Sequence, residues 1–597
     1  MIDDTATRPR SAPVPWLEFL HGDAPLLLIA PHGGRAGPAA QATLHPKVND
    51  LETAAITREL ATRLGAGAII NSGMDRNELD CNRLAQLQAR EPWLLEAIAD
   101  QIAELAARHG HATVLLIHGW NIIEPRVDFG FGLRESKGCL RPPRGAYVSA
   151  SDDFIRGPAA GLAERLRAAA ITPSIGLRYP GGGAQNLLQA FTPRYAASPS
   201  RALRRLAELS AARQIDALQL ELAVSLRLPG PHRAAALDAI ATTFDHSLNG
   251  ASARSTVEIL RDHPPASLVK PRAAAPAVPP YRIGVEFYDA KHGLGGMASF
   301  DFGPGAAGGR IMMLFERRRV ALFTGEGDAV RDGNSVALGP LTLDANAGSS
   351  GLRFHGPAVV VDDGTAYLSV EGALAGGRLD PAMAVAVTLD FDGGTPHFGE
   401  LLASLDALIA RSTAAEKLAE AIPPHSSFGR LRGPVRLDGV ERQLDAVARV
   451  GVSFVGLGPQ KFASRRMLWA CVPRPNRHDA VEFRVLELED GSSQQVAHLL
   501  RDGVWRESQV SKLELETASP YTPPARISAT LAPGAISLEG APDTFMTLSR
   551  PGSDGVRIHT SLGFASYRVA GAPAVGMYEY SRCVGELASG AKDPDDD

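Results

Sequence analysis

The first 260 residues alternate between short apolar runs and amphipathic segments. Leu27–Ala30, Ala66–Ile70 and Thr113–Ile117 have the unbroken apolar character of buried strands. Leu51–Leu64 and Trp93–Arg108 repeat their apolar residues with the period of a helix. Strands that alternate with helices predict an α/β domain with a mostly parallel mixed sheet.

A later strand of this region carries an unusual charge. Helical segments over roughly 158–169 and 200–213 precede Ala217–Ala223, in which Gln219 and Glu221 share one face. A carboxylate on an inner strand is costly unless it has a partner or a role. The alternative is an edge strand whose Gln219 and Glu221 face solvent.

Beyond residue 280 the pattern changes to short alternating strands separated by Gly and Asp turns, which is typical of antiparallel barrels or sandwiches. A Pro- and Ala-rich linker precedes these strands, and a helix over about 399–422 interrupts them. The predicted organisation is an α/β unit (1–261), the linker (262–280), a β unit with the helix (281–425), a second β unit (426–590) and a disordered tail (591–597).

Composition narrows the class of protein. The chain of 597 residues is 45% hydrophobic and 21% charged, with a net charge of −5, so nucleic acid is not an expected partner. No apolar stretch approaches a membrane span, and the amino terminus lacks a signal-peptide pattern, so we expect a cytoplasmic protein. The four cysteines show no CxxC spacing, which argues against a disulfide framework or a thiolate zinc site.

Two histidines follow predicted strands. His32 stands before Gly33-Gly34, and His118 follows Thr113–Ile117. If the two strands are parallel neighbours, both imidazoles lie at one sheet edge, where ligands of such sheets bind. Two histidines and one carboxylate form the ligand set of a hydrolytic zinc site, and Asp50 or Glu52 would supply the carboxylate. Alternatively, Asp50 only caps the following helix and Glu52 only interacts with its dipole.

Other charged residues are candidates for substrate handling. Glu221 would accept a proton from a water bound to the metal and deliver it to the leaving amine. Arg76, Asn82 and Arg83 have the side chains that grip a carboxylate, although such a cluster is also typical of a surface ion-pair network.

Residues 25–260 resemble the N-formylglutamate amidohydrolase family, which is related to the zinc carboxypeptidases. The resemblance rests on the order and spacing of several motifs: Pro31-His32-Gly33, Asn49-Asp50, Arg76-x-x-x-Asp80-x-Asn82-Arg83, His118, Asp128-Phe129-Gly130 with Gly132, Tyr179-Pro180-Gly181-Gly182 and Leu218-Gln219-Leu220-Glu221.

The resemblance implies one zinc ion per chain on His32, His118 and an acidic residue at the helix start, for which Asp50 is favoured and Glu52 stays open. Two positions depart from the pattern. Arg35 replaces the glutamate that carboxypeptidases carry three residues after the first histidine, and Ile117 replaces an aspartate before the second.

The same resemblance assigns roles around the metal. Glu221 becomes the general acid and base, Asn82 and Arg83 hold a substrate carboxylate, and the turn at Tyr179 lines the pocket. Arg126, or failing that Arg178, would stabilise the developing oxyanion.

From Tyr281 onward the chain resembles tandem lipocalin-like proteins related to hydroxyneurosporene synthase and the fungal lipocalin-fold cyclases. The resemblance rests on Val285-Glu286-Phe287-Tyr288, the segment Gly429–Gly439 and Met577-Tyr578-Glu579-Tyr580. Of the polar cluster usual in that family, only Arg449 remains. A binding role therefore fits this half better than independent catalysis.

These observations lead to one hypothesis and two alternatives. The hypothesis is a zinc-dependent amidohydrolase that cleaves an N-acyl amino acid or a related small-molecule amide bearing a carboxylate, with the β region binding a hydrophobic part. One alternative is a tailoring isomerase, hydratase or cyclase with its chemistry in the lipocalin-like half. The other is a binding protein on a degenerate hydrolase scaffold.

Overall fold

A computed structural model describes residues 14–39, 46–136, 139–245, 280–303, 307–327, 329–332, 335–346, 349–391, 400, 426–454, 462–474, 478–488, 490–517, 522–532, 536–551 and 556–586. These residues form two compact units, the first within 14–245 and the second within 280–586 together with Ile122–Glu124. The predicted linker, the helix over 399–422 and the tail lie outside the described residues, apart from residues 280 and 400.

The first unit is built on a seven-stranded sheet with the order β1-β3-β2-β4-β9-β5-β8. Its strands are β1 (Leu17–Leu20), β2 (Leu26–Ala30), β3 (Gly67–Asn71), β4 (Ala112–Trp120), β5 (Arg126–Gly130), β8 (Thr172–Ile175) and β9 (Ile215–Ala223). A separate hairpin consists of β6 (Arg134–Ser136) and β7 (Cys139–Arg141). The central strands β3, β2, β4 and β9 are parallel, and β1 and β5 run antiparallel to their neighbours β3 and β9. The prediction of an α/β unit with a mostly parallel mixed sheet is confirmed.

Helices cover this sheet. They are α1 (Thr53–Leu64), α2 (Leu84–Arg90), α3 (Pro92–His109), α4 (Asp152–Phe154), α5 (Ala160–Ala168), α6 (Arg201–Ala211), α7 (Val224–Arg227) and α8 (Pro231–Phe244), with a π turn at Ile155–Ala159 and 3-10 turns at Leu187–Phe191 and Pro193–Tyr195. The apolar stripe of α3, including Ile98 and Ile102, packs with α6 and the sheet in one core. Helix α3 begins at a proline and ends before Gly110, whose φ of 80° suits a glycine.

No helix among the described residues combines the length and the apolar character that crossing a bilayer requires.

The structure differs from the sequence interpretation at the end of β4. The sequence ends this strand at Ile117, whereas β4 continues to Trp120, so His118 lies within the strand. The extension is possible because β9 is equally long, and their register places His118 beside Glu221. Strand β9 is internal and Glu221 is only 4% exposed, so the alternative of a solvent-facing edge strand is wrong.

The second unit begins with an eleven-stranded sheet. Its strands are β10 (Tyr281–Asp289), β11 (Leu294–Phe302), β12 (Ala307–Phe315), β13 (Arg319–Gly327), β14 (Val330–Asp332), β15 (Ser335–Leu338), β16 (Leu341–Asn346), β17 (Ser349–Val361), β18 (Arg378–Phe391), β19 (Ser426–Leu437) and β20 (Val440–Phe454). A 3-10 turn (Gly364–Leu368) and helix α9 (Val370–Gly376) connect β17 to β18. Because β13 also pairs with β17, eight of these strands close into a first ring.

The remaining eight strands form a closed barrel in chain order, here called the second ring. They are β21 (Phe462–Pro473), β22 (His478–Leu488), β23 (Ser493–Arg501), β24 (Val504–Glu516), β25 (Arg526–Ala532), β26 (Ile536–Pro551), β27 (Val556–Val569) and β28 (Ala572–Glu586). The expectation of two β units after the α/β unit is therefore confirmed at the level of two closed rings.

The strand pairing differs from the expected division between these β units. The sequence assigns residues from 426 onward to the second unit, but β19 and β20 belong to the first ring. Strand β20 pairs with β10 on one side and β19 on the other, so this hairpin fills the gap between β10 and β18. Such long-range pairing leaves no local mark in the sequence.

Candidate metal centre

Three buried side chains converge at the carboxyl edge of the first unit's sheet. His32 follows β2, His118 lies near the end of the neighbouring strand β4, and Asp50 comes from the loop before α1. The Nδ1 atoms of His32 and His118 lie 3.2 and 3.3 Å from the same oxygen, Oδ2 of Asp50. One ligand atom from each residue falls within 4.8 Å of the others. Two imidazoles and a carboxylate in this arrangement suit a divalent transition metal.

His32 is oriented by a second carboxylate. Its Nε2 atom lies 2.7 Å from Oδ1 of Asp80. A carboxylate oxygen accepts, so Nε2 donates to Asp80, and Nδ1 of the same ring faces Asp50 and His118 as the atom that would ligate a metal. Metal-binding histidines are held by such partners in general. Asp80 thus orients His32 from the Arg76–Arg83 segment.

The local backbone conformation directs the side chains of Asp50 and Glu52 to different places. Glu52 adopts a left-handed φ of 71° as the residue before α1 and makes no side-chain cap. Its carboxylate pairs with Arg233 at 3.3 Å, away from the cluster. Asp50 is 2% exposed and does not cap the helix, so its carboxylate is available for the centre.

The protonation of Asp50 is decided by its neighbours. Burial by itself would raise the pKa of Asp50, but hydrogen bonds from His118 and His32 and the charge of Arg76 hold this pKa well below its usual range. Asp50 is therefore an anion at neutral pH, as a metal ligand must be.

The second ring nitrogen of His118, Nε2, is buried and lacks a hydrogen-bond partner among the described residues. His32 and His118 face each other edge to face, with 4.9 Å between ring centroids. Orphaned polar atoms of this kind are uncommon in protein interiors and are typical of functional sites.

Glu221 lies beside the three candidate ligands. It is opposite His118 on β4 and opposite Asp128 on β5, so the three side chains share one face of the sheet. Burial raises the pKa of Glu221 to about 7; the negative charges of Asp50 and Asp128 add to this rise, and the charges of His118 and Arg76 oppose it. Gln219 Nε2 donates to Glu221 Oε1 at 2.7 Å. Glu221 is thus poised to exchange a proton near neutral pH.

Cations surround the outer oxygen of Asp80. Lys47 Nζ, Arg76 Nη2 and Arg83 Nε lie 3.6, 3.7 and 3.9 Å from Oδ2. Arg76 also lies 3.5 Å from Asp50 Oδ1, and its charge reaches Glu221. The surface ion-pair interpretation does not apply here, because Arg76 and Arg83 are only 20% and 16% exposed and their shared partner Asp80 is buried.

The remaining predicted residues are placed by two loops. The backbone N–H of Leu187 donates to Asn82 Oδ1, which ties the Asp80–Arg83 segment to the 3-10 turn Leu187–Phe191. The carboxylate of Asp128 accepts the backbone N–H groups of Arg178 and Tyr179, both at 2.9 Å. The structure therefore holds the Tyr179 turn beside the strand that pairs with Glu221.

Tyr179, Arg126 and Arg178 occupy different positions relative to the candidate ligands. Tyr179 packs edge to face on Trp120, with 6.0 Å between centroids. Arg126 begins β5 on the same face as Asp128, two residues away, and is partly buried. The Arg178 side chain is exposed, and only its backbone contact to Asp128 places it near the site.

Arg227 is a residue that the sequence interpretation missed. It is 2% exposed, and its guanidinium donates to the carbonyls of Leu51 (2.8 Å), Leu222 (3.1 Å) and Trp120 (3.3 Å) and to Asn121 Oδ1 (3.0 Å). These carbonyls belong to the segments that carry Asp50, Glu221 and His118. Gly119 leaves room for it, since a Cβ there would lie 2.8 Å from the Arg227 Cζ.

No protein-family model matches the sequence, and no curated protein matches it. Three solved structures are similar to parts of the chain. N-formylglutamate amidohydrolase from Ralstonia eutropha is 15% identical and covers 39% of this chain and 96% of its own, with a TM-score of 0.26.

The other two likenesses cover about half of the chain. An AttH protein from Nitrosomonas europaea is 12% identical over 54% of this chain and 99% of its own, with a TM-score of 0.31. Kievitone hydratase from Nectria haematococca is 9% identical over 53% of this chain and 95% of its own, with a TM-score of 0.29. Similarity at this level does not establish a function, so the functional conclusion has to come from the site itself.

Proposed function

We propose that the first unit is a metal-dependent amidohydrolase that holds one zinc ion on His32, Asp50 and His118. The observation that carries the proposal is the approach of both Nδ1 atoms to one oxygen of Asp50 in a buried site. The donor set of two imidazoles and one carboxylate leaves a position for water, as hydrolytic zinc sites do. A bound ion would polarise the amide carbonyl and acidify that water.

The residues of the chain supply the remaining chemistry. Glu221, with a pKa raised to about 7, takes the proton of the attacking water and later gives it to the leaving nitrogen. Asp80 keeps the His32 ring in the productive orientation. Arg126, on the same sheet face, is the candidate for stabilising the oxyanion, with Arg178 as the second choice.

We assign the substrate to small amides with a carboxylate, such as N-acyl amino acids. Support comes from Arg76 and Arg83, which are partly exposed beside the candidate metal ligands and carry the planar fork that binds carboxylates. Asn82 completes this group, and Tyr179, which is 37% exposed, lines the entrance. In this proposal the unit up to residue 261 is catalytic, and the two rings are lipocalin-like units that bind a hydrophobic portion of the substrate.

Metal content and hydrolysis test the proposal together. Purified full-length protein should contain about one zinc per chain by elemental analysis. His118→Ala should lose it, while the matched control His111→Ala, in a partly exposed pair with Asp216, should keep it. The zinc-loaded protein should hydrolyse N-formyl or N-acetyl amino acids, and a chelator should abolish this activity. No metal in any sample after incubation with zinc would overturn the proposal.

A second candidate function lies in the second unit. Between the two rings, Arg449 from β20 pairs with Glu286 from β10 and with Glu482 from β22, and the Trp469 N–H donates to Glu286 at 2.6 Å. Oxygen Oε2 of Glu482 is buried without a hydrogen-bond partner among the described residues. Such a carboxylate pair would serve an isomerase or hydratase. An isomerase or hydratase activity that survives a chelator and is lost in the Glu482→Gln variant would favour this candidate.

A further inference from the structure

The interior of the second ring is divided into an apolar and a polar part. The apolar part contains Leu468, Phe483 and Tyr578, which belong to one core cluster. Because side chains alternate along a strand, every second residue from these positions also faces inward. Along β21 and β28 the next inward positions are occupied by Arg466, Ser464, Tyr580 and Arg582.

Strand pairing places these inward polar residues in two adjacent rows. One row crosses β26, β27, β28 and β21 through Thr547, Ser561, Tyr580 and Arg466. The next row crosses the same strands through Ser549, His559, Arg582 and Ser464. Eight neighbouring inward positions on four strands are therefore polar, whereas the adjacent rows are mainly apolar.

The two arginines of this cluster are not equivalent. Arg466 pairs with Glu487, with Nη1 2.8 Å from Oε1, and its charge is compensated. Arg582 donates from Nε to the Tyr580 hydroxyl, and no carboxylate of the described residues lies within 4 Å of it. Both guanidinium carbons lie close to the Tyr580 ring centroid, at 5.7 and 5.0 Å. The cluster thus carries one uncompensated positive charge on a partly buried side chain.

Two hydroxyl groups of the same rows lack partners. Thr547 is fully buried, and its Oγ1 has no hydrogen-bond partner among the described residues. The Ser549 Oγ, two residues along the same strand, also has no hydrogen-bond partner among the described residues. A buried hydroxyl without a partner is energetically unfavourable, so such groups are usually satisfied by water or by a ligand. The uncompensated arginine on β28 and the two unsatisfied hydroxyls on β26, which face the same interior across β27, together have the donors that an oxyanion requires.

We propose that this polar end of the second ring binds a small oxyanion, either a carboxylate or a phosphate, between Arg582 and the hydroxyls of Thr547 and Ser549. The guanidinium supplies the charge and two donors, and the hydroxyls donate to the remaining oxygens. The apolar part of the interior adjoins this end, so a carboxylate with a short hydrocarbon chain fits the chemistry of the second ring as well as inorganic phosphate does. The proposal is independent of the hydrolase proposal for the first unit.

The test is calorimetric titration of the full-length chain with inorganic phosphate, acetate and hexanoate. The titrations use a His118→Ala background without metal, so that an ion in the first unit cannot bind the probes. At least one probe should bind, and Arg582→Met should weaken that binding at least about tenfold. Arg526→Met is the matched control, because Arg526 lies on the outer face of the same barrel and is 53% exposed.

A milder variant separates the loss of a ligand contact from misfolding. Thr547→Val keeps the shape of the side chain and removes only the hydroxyl, so the barrel should fold normally by circular dichroism. We expect it to weaken the same probe severalfold. Binding of phosphate alone would identify a phosphate site, and binding of the two acids alone a carboxylate site. Failure of all three probes to bind, or equal binding by Arg582→Met and Arg526→Met, would overturn the proposal.

Discussion

The imidazole of His32 is held between two carboxylates, with Nε2 2.7 Å from Asp80 Oδ1 and Nδ1 3.2 Å from Asp50 Oδ2. Both carboxylates are at most 2% exposed. Burial alone would raise the pKa of Asp80, but the charges of His32, Arg76 and Lys47 keep it well below its usual range. Asp80 therefore orients the ring, and Asp50 lies beside the nitrogen that would bind the metal.

Asp80→Asn should weaken zinc binding by about 10–100-fold, because the amide orients the His32 ring less firmly and removes a charge that makes the ring a better ligand. Competition with a chromophoric chelator measures the affinity. Asp216→Asn is the control, since Asp216 accepts from His111 in a pair remote from the candidate ligands. Equal affinities of both variants would argue against an orienting role for Asp80.

Glu221→Gln should leave the zinc content unchanged and lower kcat for amide hydrolysis by about 10²–10⁴, the usual loss when a general base is removed. The substitution keeps the size of the side chain and removes only its ability to carry a proton. Elemental analysis and steady-state kinetics on the same preparation separate the two effects. A variant that loses its zinc would instead make Glu221 part of the ligand set.

Arg227→Met should destabilise the protein by at least about 3 kcal/mol, because three buried carbonyls and one amide oxygen lose their donor together. Zinc affinity should fall as well, since the segments carrying Asp50 and His118 are no longer tied together. Urea unfolding and chelator competition measure both quantities. Arg205→Met, in a surface pair with Asp100, should change neither.

Asp438 provides a prediction of pH-dependent stability in the first ring. It lies between Arg378 and Arg319 in the turn from β19 to β20, and its hydrogen bonds to these arginines lower its pKa to about 2. A carboxyl whose pKa is depressed in the folded state stabilises the protein above the unfolded pKa, near 4, and this contribution is lost as the pH falls towards 2.

Asp438→Asn should therefore be less stable than the native protein at pH 6, and the difference should shrink as the pH falls from about 4 to about 2. Asparagine tolerates the left-handed φ of 51° at this position, so the substitution isolates the charge. Urea unfolding at several pH values measures the difference. A gap that stays constant with pH would show that the arginines do not stabilise the charged form.

Much of the candidate centre could be predicted from local sequence. His32 and His118 follow apolar runs that had to become buried strands, and such strands pair in parallel when helices connect them. The choice between Asp50 and Glu52 could not be made in this way, because both stand at the same helix start. Only the folded backbone turns Glu52 towards Arg233 and leaves Asp50 inside.

Other features depend on contacts between distant parts of the chain. Arg227 stands at the end of a short helix, where a basic residue is ordinary, and only the fold brings Leu51 and Trp120 to its guanidinium. Likewise the alternation of residues 426–454 predicts strands, but not that β20 pairs with β10 in the first ring. The sequence by itself determined which segments become strands and helices, because hydrophobic periodicity is local. Only the tertiary structure decided which side chains meet, because strand order and buried hydrogen bonds are set by burial across the whole chain.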